Sequence, residues 1–333
     1  MLTPTPTRLL LLAASTLSTL VTSALAGSYA RTEHIAGAGF YNAFEFQAIG
    51  DPTHGRVNYV DQATAQRANL TFASSSPDKF VLRADATTVL SDAGGVGRSS
   101  VRIRSRNTYT THVAVFDVAH MPQGCGTWPA IWETDEASWP RGGEVDIVEG
   151  VNDDGANAVT LHTAPGCTMP AQRTETGTPG QLSCDTALNG NAGCGVRLAS
   201  SSPASYGPAF NAAGGGWYAL ERTDSFINVW FWPRNGAVPA DVRAGGGSVD
   251  TAGWGVPAAN FPNTSCDIPR FFSAHNIIIN LTFCGDWAGQ QGLYAGAGCP
   301  STCITDDRTG YVDANPAAFR NAYFEFNAIN IYK

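Results

Sequence analysis

Short apolar runs recur along the chain, each six to eleven residues long, with Gly, Pro, Asn, Asp or Ser between them. They include "KFVLRAD", "SVRIRS", "THVAVFDV", "GEVDIVEG", "AVTLHT", "WYALERT", "FINVWFWP", "HNIIINLTF" and "AYFEFNAINIY". Their β-branched and aromatic content, with turn residues between, predicts strands, and no stretch carries a convincing 3.6-residue period. No linker interrupts the series, so residues 27–333 are expected to form a single all-β domain, a sandwich of two antiparallel sheets. The hexapeptides "FEFQAI" (44–49) and "FEFNAI" (324–329) echo each other. Two amphipathic strands explain that more simply than an internal repeat. The stretch from Gly166 to Gly216 has little periodicity but three cysteines, which predicts an ordered loop region.

One strand breaks the pattern. "WPRGGEVDIVEGVNDD" (139–154) places Glu144, Asp146 and Glu149 among valines and an isoleucine. Side chains alternate along a strand, so Glu144 and Asp146 share a face while Val145 and Ile147 take the other. Strict alternation would send Glu149 into the core, where an unpaired carboxylate costs several kcal/mol. A β-bulge adds one residue and returns Glu149 to the acid face. Three acids on one face raise one another's pKa, so one can keep its proton while another ionises. Retaining glycoside hydrolysis needs that division, with carboxyl groups about 5–5.5 Å apart. Solvated acids on an outer face, or oxygen ligands for calcium, are the alternative readings of the same residues.

The flanks favour a carbohydrate groove. "GCGTWPAIWETDEASWP" holds Trp128, Trp132 and Trp139, and indole faces suit the C–H faces of sugars. Trp128 is assigned to the core. Trp132 and Trp139, among Glu133, Asp135, Glu136 and Arg141, are assigned to the groove. Trp287, in the glycine-rich "GDWAGQ", follows a strand directly, where binding residues commonly sit. His162 in "VTLHT" reaches the groove if its strand pairs with the acid strand; otherwise it is a structural histidine.

Charge and cysteines narrow the setting. The chain carries a formal charge of −8, becomes one unit more negative without Arg8, and has only two lysines, Lys79 and Lys333. Nucleic acid, anionic membrane and acidic polysaccharide are therefore poor partners, and a neutral one fits better. Arg8, an apolar run and the closing Ala24-Leu25-Ala26 describe a secretory leader over residues 1–26. No later run approaches the roughly 20 apolar residues of a spanning helix. The eight cysteines should pair as disulfides in an oxidising compartment, in one of about a hundred connectivities. Zinc is disfavoured because no C-x₂-C spacing occurs. Of the sequons at Asn69, Asn263 and Asn280, the last lies in a core-like strand and is discounted as a glycan site.

At these residues the chain resembles glycoside hydrolase family 16, in particular its secreted fungal laminarinase branch of endo-1,3(4)-β-glucanases. The resemblance rests on "GTWPAIWETDEASWPRGGEVDIVEGVND" and extends to "DPTHGRVNYVDQAT", "THVAVFDVAHMPQGCG", "GGGWYALERTDSFINVWFWPRN", "FPNTSCDIPRFF" and "NIIINLTFCGDWAGQ". It implies a β-jelly roll with a concave substrate cleft, Glu144 as nucleophile, Glu149 as acid/base and Asp146 as the residue that orients the nucleophile. Trp132, Trp139, His162 and Trp287 would then line glucose subsites. No cofactor and no metal is required, and the expected partner is a neutral β-glucan acted on by a secreted monomer. A silent glucan lectin and a cell-wall transglycosylase are the rival functions of such a site.

Overall fold

The computed structural model describes Met1 and residues 27–74, 78–90, 95–199, 201–304 and 310–333. Residues 2–26, which hold nearly all of the expected leader, lie outside the described residues.

Every one of the nine apolar runs contains a strand. Eight strands make one antiparallel sheet in the order Thr178–Pro179, Cys194–Arg197, Ala158–His162, Glu144–Glu149, Thr127–Thr134, Asn276–Phe283, Arg102–Ser105, Phe44–Phe46. The acid strand sits in its middle. The second antiparallel sheet has nine strands, among them His112–His120, Gly216–Arg222, Phe226–Pro233 and Tyr323–Tyr332. The two copies of the hexapeptide echo begin strands in different sheets, Phe44–Phe46 and Tyr323–Tyr332, as two separate amphipathic strands would. Helices among the described residues are short, three to six residues each, in line with the missing helical period.

Alternation decides what each face does. From the acid sheet, Ile103, Ile131, Val145, Val159, Leu161, Ile277 and Ile279 enter the common core. They meet Ala114, Phe116, Tyr218, Leu220, Phe326 and Ile331 of the second sheet, the interdigitation that holds aligned sandwiches together. The second sheet buries its outer face too: Val113, Val115, Trp217, Ala219 and Trp230 lie beneath Val242, Val249 and Trp254. With one sheet covered on both sides, the outer face of the acid sheet is the one that carries acids and aromatics.

Four disulfides join the loops: Cys125–Cys299, Cys167–Cys266, Cys184–Cys194 and Cys284–Cys303. They account for all eight cysteines, and Cys167–Cys266 and Cys184–Cys194 tie down the cysteine-bearing loops after Gly166. Asn280 is buried in the sheet, its side chain bonded to Trp132 and Tyr59, so it offers no surface for a glycan. Asn69 and Asn263 are exposed.

Candidate active site

The bulge predicted from the acid spacing is present. Against Thr127–Thr134, Asp146 faces Trp132, yet Val148 faces Ile131, so Ile147 is the extra residue. Val145, Ile147 and Val148 all enter the core, whereas Glu149 opposite Ala130 returns to the side of Glu144 and Asp146. A bulge leaves backbone groups without ladder partners, and here a buried side chain supplies them. Asn157 Nδ2 donates to the carbonyl of Ile147 (2.8 Å), and its Oδ1 accepts from the Glu149 N–H (2.9 Å). Asn157 stands where the neighbouring strand has stopped pairing, since Ala158–His162 meets the acid strand only from Glu144 to Asp146.

Each acid has its own partner. Trp139, 44% exposed at the rim, donates from Nε1 to Glu144 Oε2 at 2.7 Å. Trp128 donates from Nε1 to Glu149 Oε1 at 2.9 Å and meets Trp287 edge-on, ring centroids 5.6 Å apart. Asp146 is 2% exposed. Its Oδ2 lies 3.3 Å from His162 Nε2 without well-aligned hydrogen-bond geometry, so that contact is chiefly electrostatic. The second nitrogen of the ring, Nδ1, lies 3.0 Å from Asn191 Oδ1. Trp132 donates to Asn280 Oδ1 (2.7 Å), and the Arg102 guanidinium lies 5.0 Å from its ring centroid.

The electrostatics follow from crowding. Burial, then the charge of Asp146, pushes the Glu144 carboxyl above the ordinary carboxylate range; His162, the Trp139 hydrogen bond and Arg102 pull it back. Burial and Asp146 also raise Glu149, and there the charge of Glu144 adds to the push. His162 pulls both carboxyls back and Arg102 adds to that pull at Glu144, and because the acids are coupled, charge on one favours the proton on the other. For His162, burial opposes a charge, but contact with Asp146 and the charges of all three acids outweigh it and carry the ring up to about 10. Glu144, Asp146 and His162 bring potential ligand atoms within 4.8 Å of one another. With His162 Nε2 3.3 Å from Asp146 and the other acids beside it, the cluster reads as an ionic network.

A family model for the XgeA-like catalytic GH16 domain matches residues 44–332. The chain belongs to glycoside hydrolase family 16. It is 40% identical over 311 residues to a probable glycosidase of Schizosaccharomyces pombe, which covers 92% of this chain and 70% of that one. It is also 38% identical over 312 residues to endo-1,3(4)-beta-glucanase xgeA of Emericella nidulans, over 92% of this chain. The chain spans about half the length of most of the curated relatives it matches, 46% for the Aspergillus clavatus protein and 48% for that of Emericella nidulans. Among solved structures, laminarinase 16A of Phanerochaete chrysosporium, with beta-glucans in donor and acceptor sites, superposes with a TM-score of 0.88. Identity there is 58%, over 92% of this chain and all of that one. An elongating GH family 16 beta-1,3-glucosyltransferase superposes at 0.82 with 36% identity, over 92% of this chain and all of that one. The jelly-roll β-sandwich of GH16 is thus the fold, and the chain is a glycoside hydrolase.

Within this GH16 site the structure gathers Glu144, Asp146, Glu149, Trp132, Trp139 and His162. Trp287 joins through Trp128 and shares with Glu149, Asp154, Arg197 and Leu293 a small recess beyond the acid strand. One expectation changes. Trp128 is not core: it is half-buried and bonded to Glu149. Trp128, Ala130 and Trp132 alternate onto one face, so pairing Trp128 with Trp132 was readable from their spacing. By the same rule Glu133 points the other way. It is fully buried inside the sandwich with Arg222, His112 and His275, at 3.0, 3.2 and 3.2 Å, and is no part of the groove. Asn157 and Asn191 were not anticipated, and neither stands in a pattern that marks it.

Proposed function

We propose that this chain is a retaining endo-β-glucanase that cuts internal β-1,3 bonds, and β-1,4 bonds beside a β-1,3 link, in laminarin-type and mixed-linkage glucans. The observation that carries this is the bulge at Ile147, which sets Glu149 on the face of Glu144 and Asp146. The activities in the names of its relatives support the substrate class. Glu144 is the nucleophile: its oxygen attacks the anomeric carbon, and the bond to the leaving glycosidic oxygen breaks as Glu149 passes that oxygen its proton. A water then attacks the glycosyl–enzyme bond, gives its proton to Glu149 and frees Glu144, so the sugar leaves with its configuration retained. Asp146 orients the nucleophile and pairs with His162. Trp132, Trp139, His162 and Trp287 contact the sugar rings. No cofactor enters these steps.

Arg8 with its apolar run supports export, and among the described residues no helix is long and apolar enough to cross a membrane. All site groups come from one chain, so a secreted monomer suffices.

The test is side-by-side digestion of laminarin and a mixed-linkage glucan, with the anomeric protons of fresh product followed by NMR. The β-anomer must appear first. An α-anomer at early times removes the roles of Glu144 and Glu149. Elongated oligosaccharides as the main product would assign a glycosyltransferase instead, a reading favoured by the similarity to the elongating glucosyltransferase.

A further inference from the structure

We propose that Asn191 is a positioning residue for this reaction: it holds the His162 ring from the side opposite Asp146 and so keeps the acid cluster in working order. The proposal rests on the roles given above to Glu144 and Glu149.

The loop that carries Asn191 is built onto the end of the histidine strand. Cys194 pairs with Leu161 across the sheet, and the buried Cys184–Cys194 disulfide closes residues 184–194 into a ring. Its other root is tied as well. Thr163 N–H donates to the Cys184 carbonyl (2.8 Å), and Thr186 N–H donates to that of Thr163 (3.0 Å). Within the loop, Asn189, Gly190, Asn191 and Gly193 have φ of 50°, 66°, 63° and 60°. Left-handed backbone is costly for most side chains but tolerated by Asn and Gly, so this composition permits the tight turn. Gly193 has no room for more: a Cβ there would lie 2.8 Å from His162 Cε1 and 2.6 Å from the Leu161 carbonyl. The loop is therefore seated against the edge of the imidazole.

Asn191 itself is exposed, and nothing in its burial explains its position; its side chain is spent on His162 Nδ1. With an amide oxygen at one ring nitrogen and a carboxylate at the other, both nitrogens face acceptors, and only the doubly protonated ring satisfies both. The charged groups facing the ring are Asp146, Glu144 and Glu149 of the acid strand, with Asp185 at the root of the loop accepting from Ala187 N–H. Holding the imidazolium in place favours ionised Glu144, the state from which attack begins.

Asn191→Leu and Asn191→Asp, with the parent protein, provide the test through two readouts. The His162 ring nitrogens are titrated by NMR, and kcat and KM on laminarin are followed from pH 4 to 9. In Asn191→Leu the ring should lose its proton about one pH unit lower. The ring, still charged across the acid range but no longer held from the Asn191 side, should shift away from the acids, so the acid limb of the kcat profile should move upward and kcat at its optimum should fall about tenfold with KM little changed. Asn191→Asp should restore the ring titration. An unmoved His162 titration in Asn191→Leu overturns the inference, as does a moved titration with an unmoved kcat profile. The NMR readout needs no turnover. If the parent hydrolyses no β-glucan, the glucanase reading fails while the hold of Asn191 on the ring is still measured.

Discussion

A lone buried acid and a trio of acids lie on opposite faces of the same strand pair and behave in opposite ways. Inside the sandwich, Glu133 faces three basic side chains, His112, His275 and Arg222. Burial alone would raise its pKa, but those neighbours hold its carboxyl well below the ordinary range. On the outer face, three acids share one histidine and the more distant Arg102, and Glu144 and Glu149 are pushed upward. Burial pushes upward in both places. The ratio of cations to acids separates them: compensated charge becomes structure, and under-compensated charge becomes a group that can exchange a proton at working pH.

Substitutions can break this contrast, beginning with the largest effect. Glu144→Gln should lower kcat at least about a thousandfold while oligosaccharide binding, measured by calorimetry, persists. Near-parental hydrolysis by this variant removes the nucleophile assignment. Glu133→Ala should leave catalysis per folded molecule near normal but cost about 3–5 kcal/mol of stability, because it strands buried basic groups. Denaturant titration measures this, and an unchanged midpoint would place Glu133 with the spectators.

A smaller loss is expected at the bulge. Asn157→Ala removes the partners of the Ile147 carbonyl and the Glu149 N–H, at about 1–3 kcal/mol. It should also lower kcat by freeing Glu149, whereas Ser205→Ala, which removes a bond to Asn157 N–H, should spare kcat. Equal kcat losses in the two would show that Asn157 acts through packing alone.

The smallest effect has the opposite sign. The folded pKa of Glu149 lies above its unfolded value near about 4.3. Its contribution to stability is therefore full below that value and is lost as pH rises through the folded one. Glu149→Gln carries no charge to bury, so its melting temperature should exceed the parent's by about 2–4 °C near pH 8 and converge with it near pH 4. A variant less stable at pH 8 would mean that Glu149 is not held against its preference.

Much of the site was legible along the chain because backbone geometry enforces it. The extra residue between Asp146 and Glu149 could be reconciled with a β-branched strand only by a bulge, and the bulge is there. Alternation also puts Trp128 beside Trp132 and turns Glu133 inward. Asn157 and Asn191 were illegible for another reason. Each acts on a residue 8 to 29 positions away through a loop whose course no local pattern encodes.

The amino-acid order determined the strands, the faces of their side chains and the grouping of three acids, because periodicity and the cost of burying charge act over a few residues. Tertiary structure decided which carboxylate met cations and which met its own kind. Coulombic balance depends on side chains brought from distant strands, and only folding sets those distances.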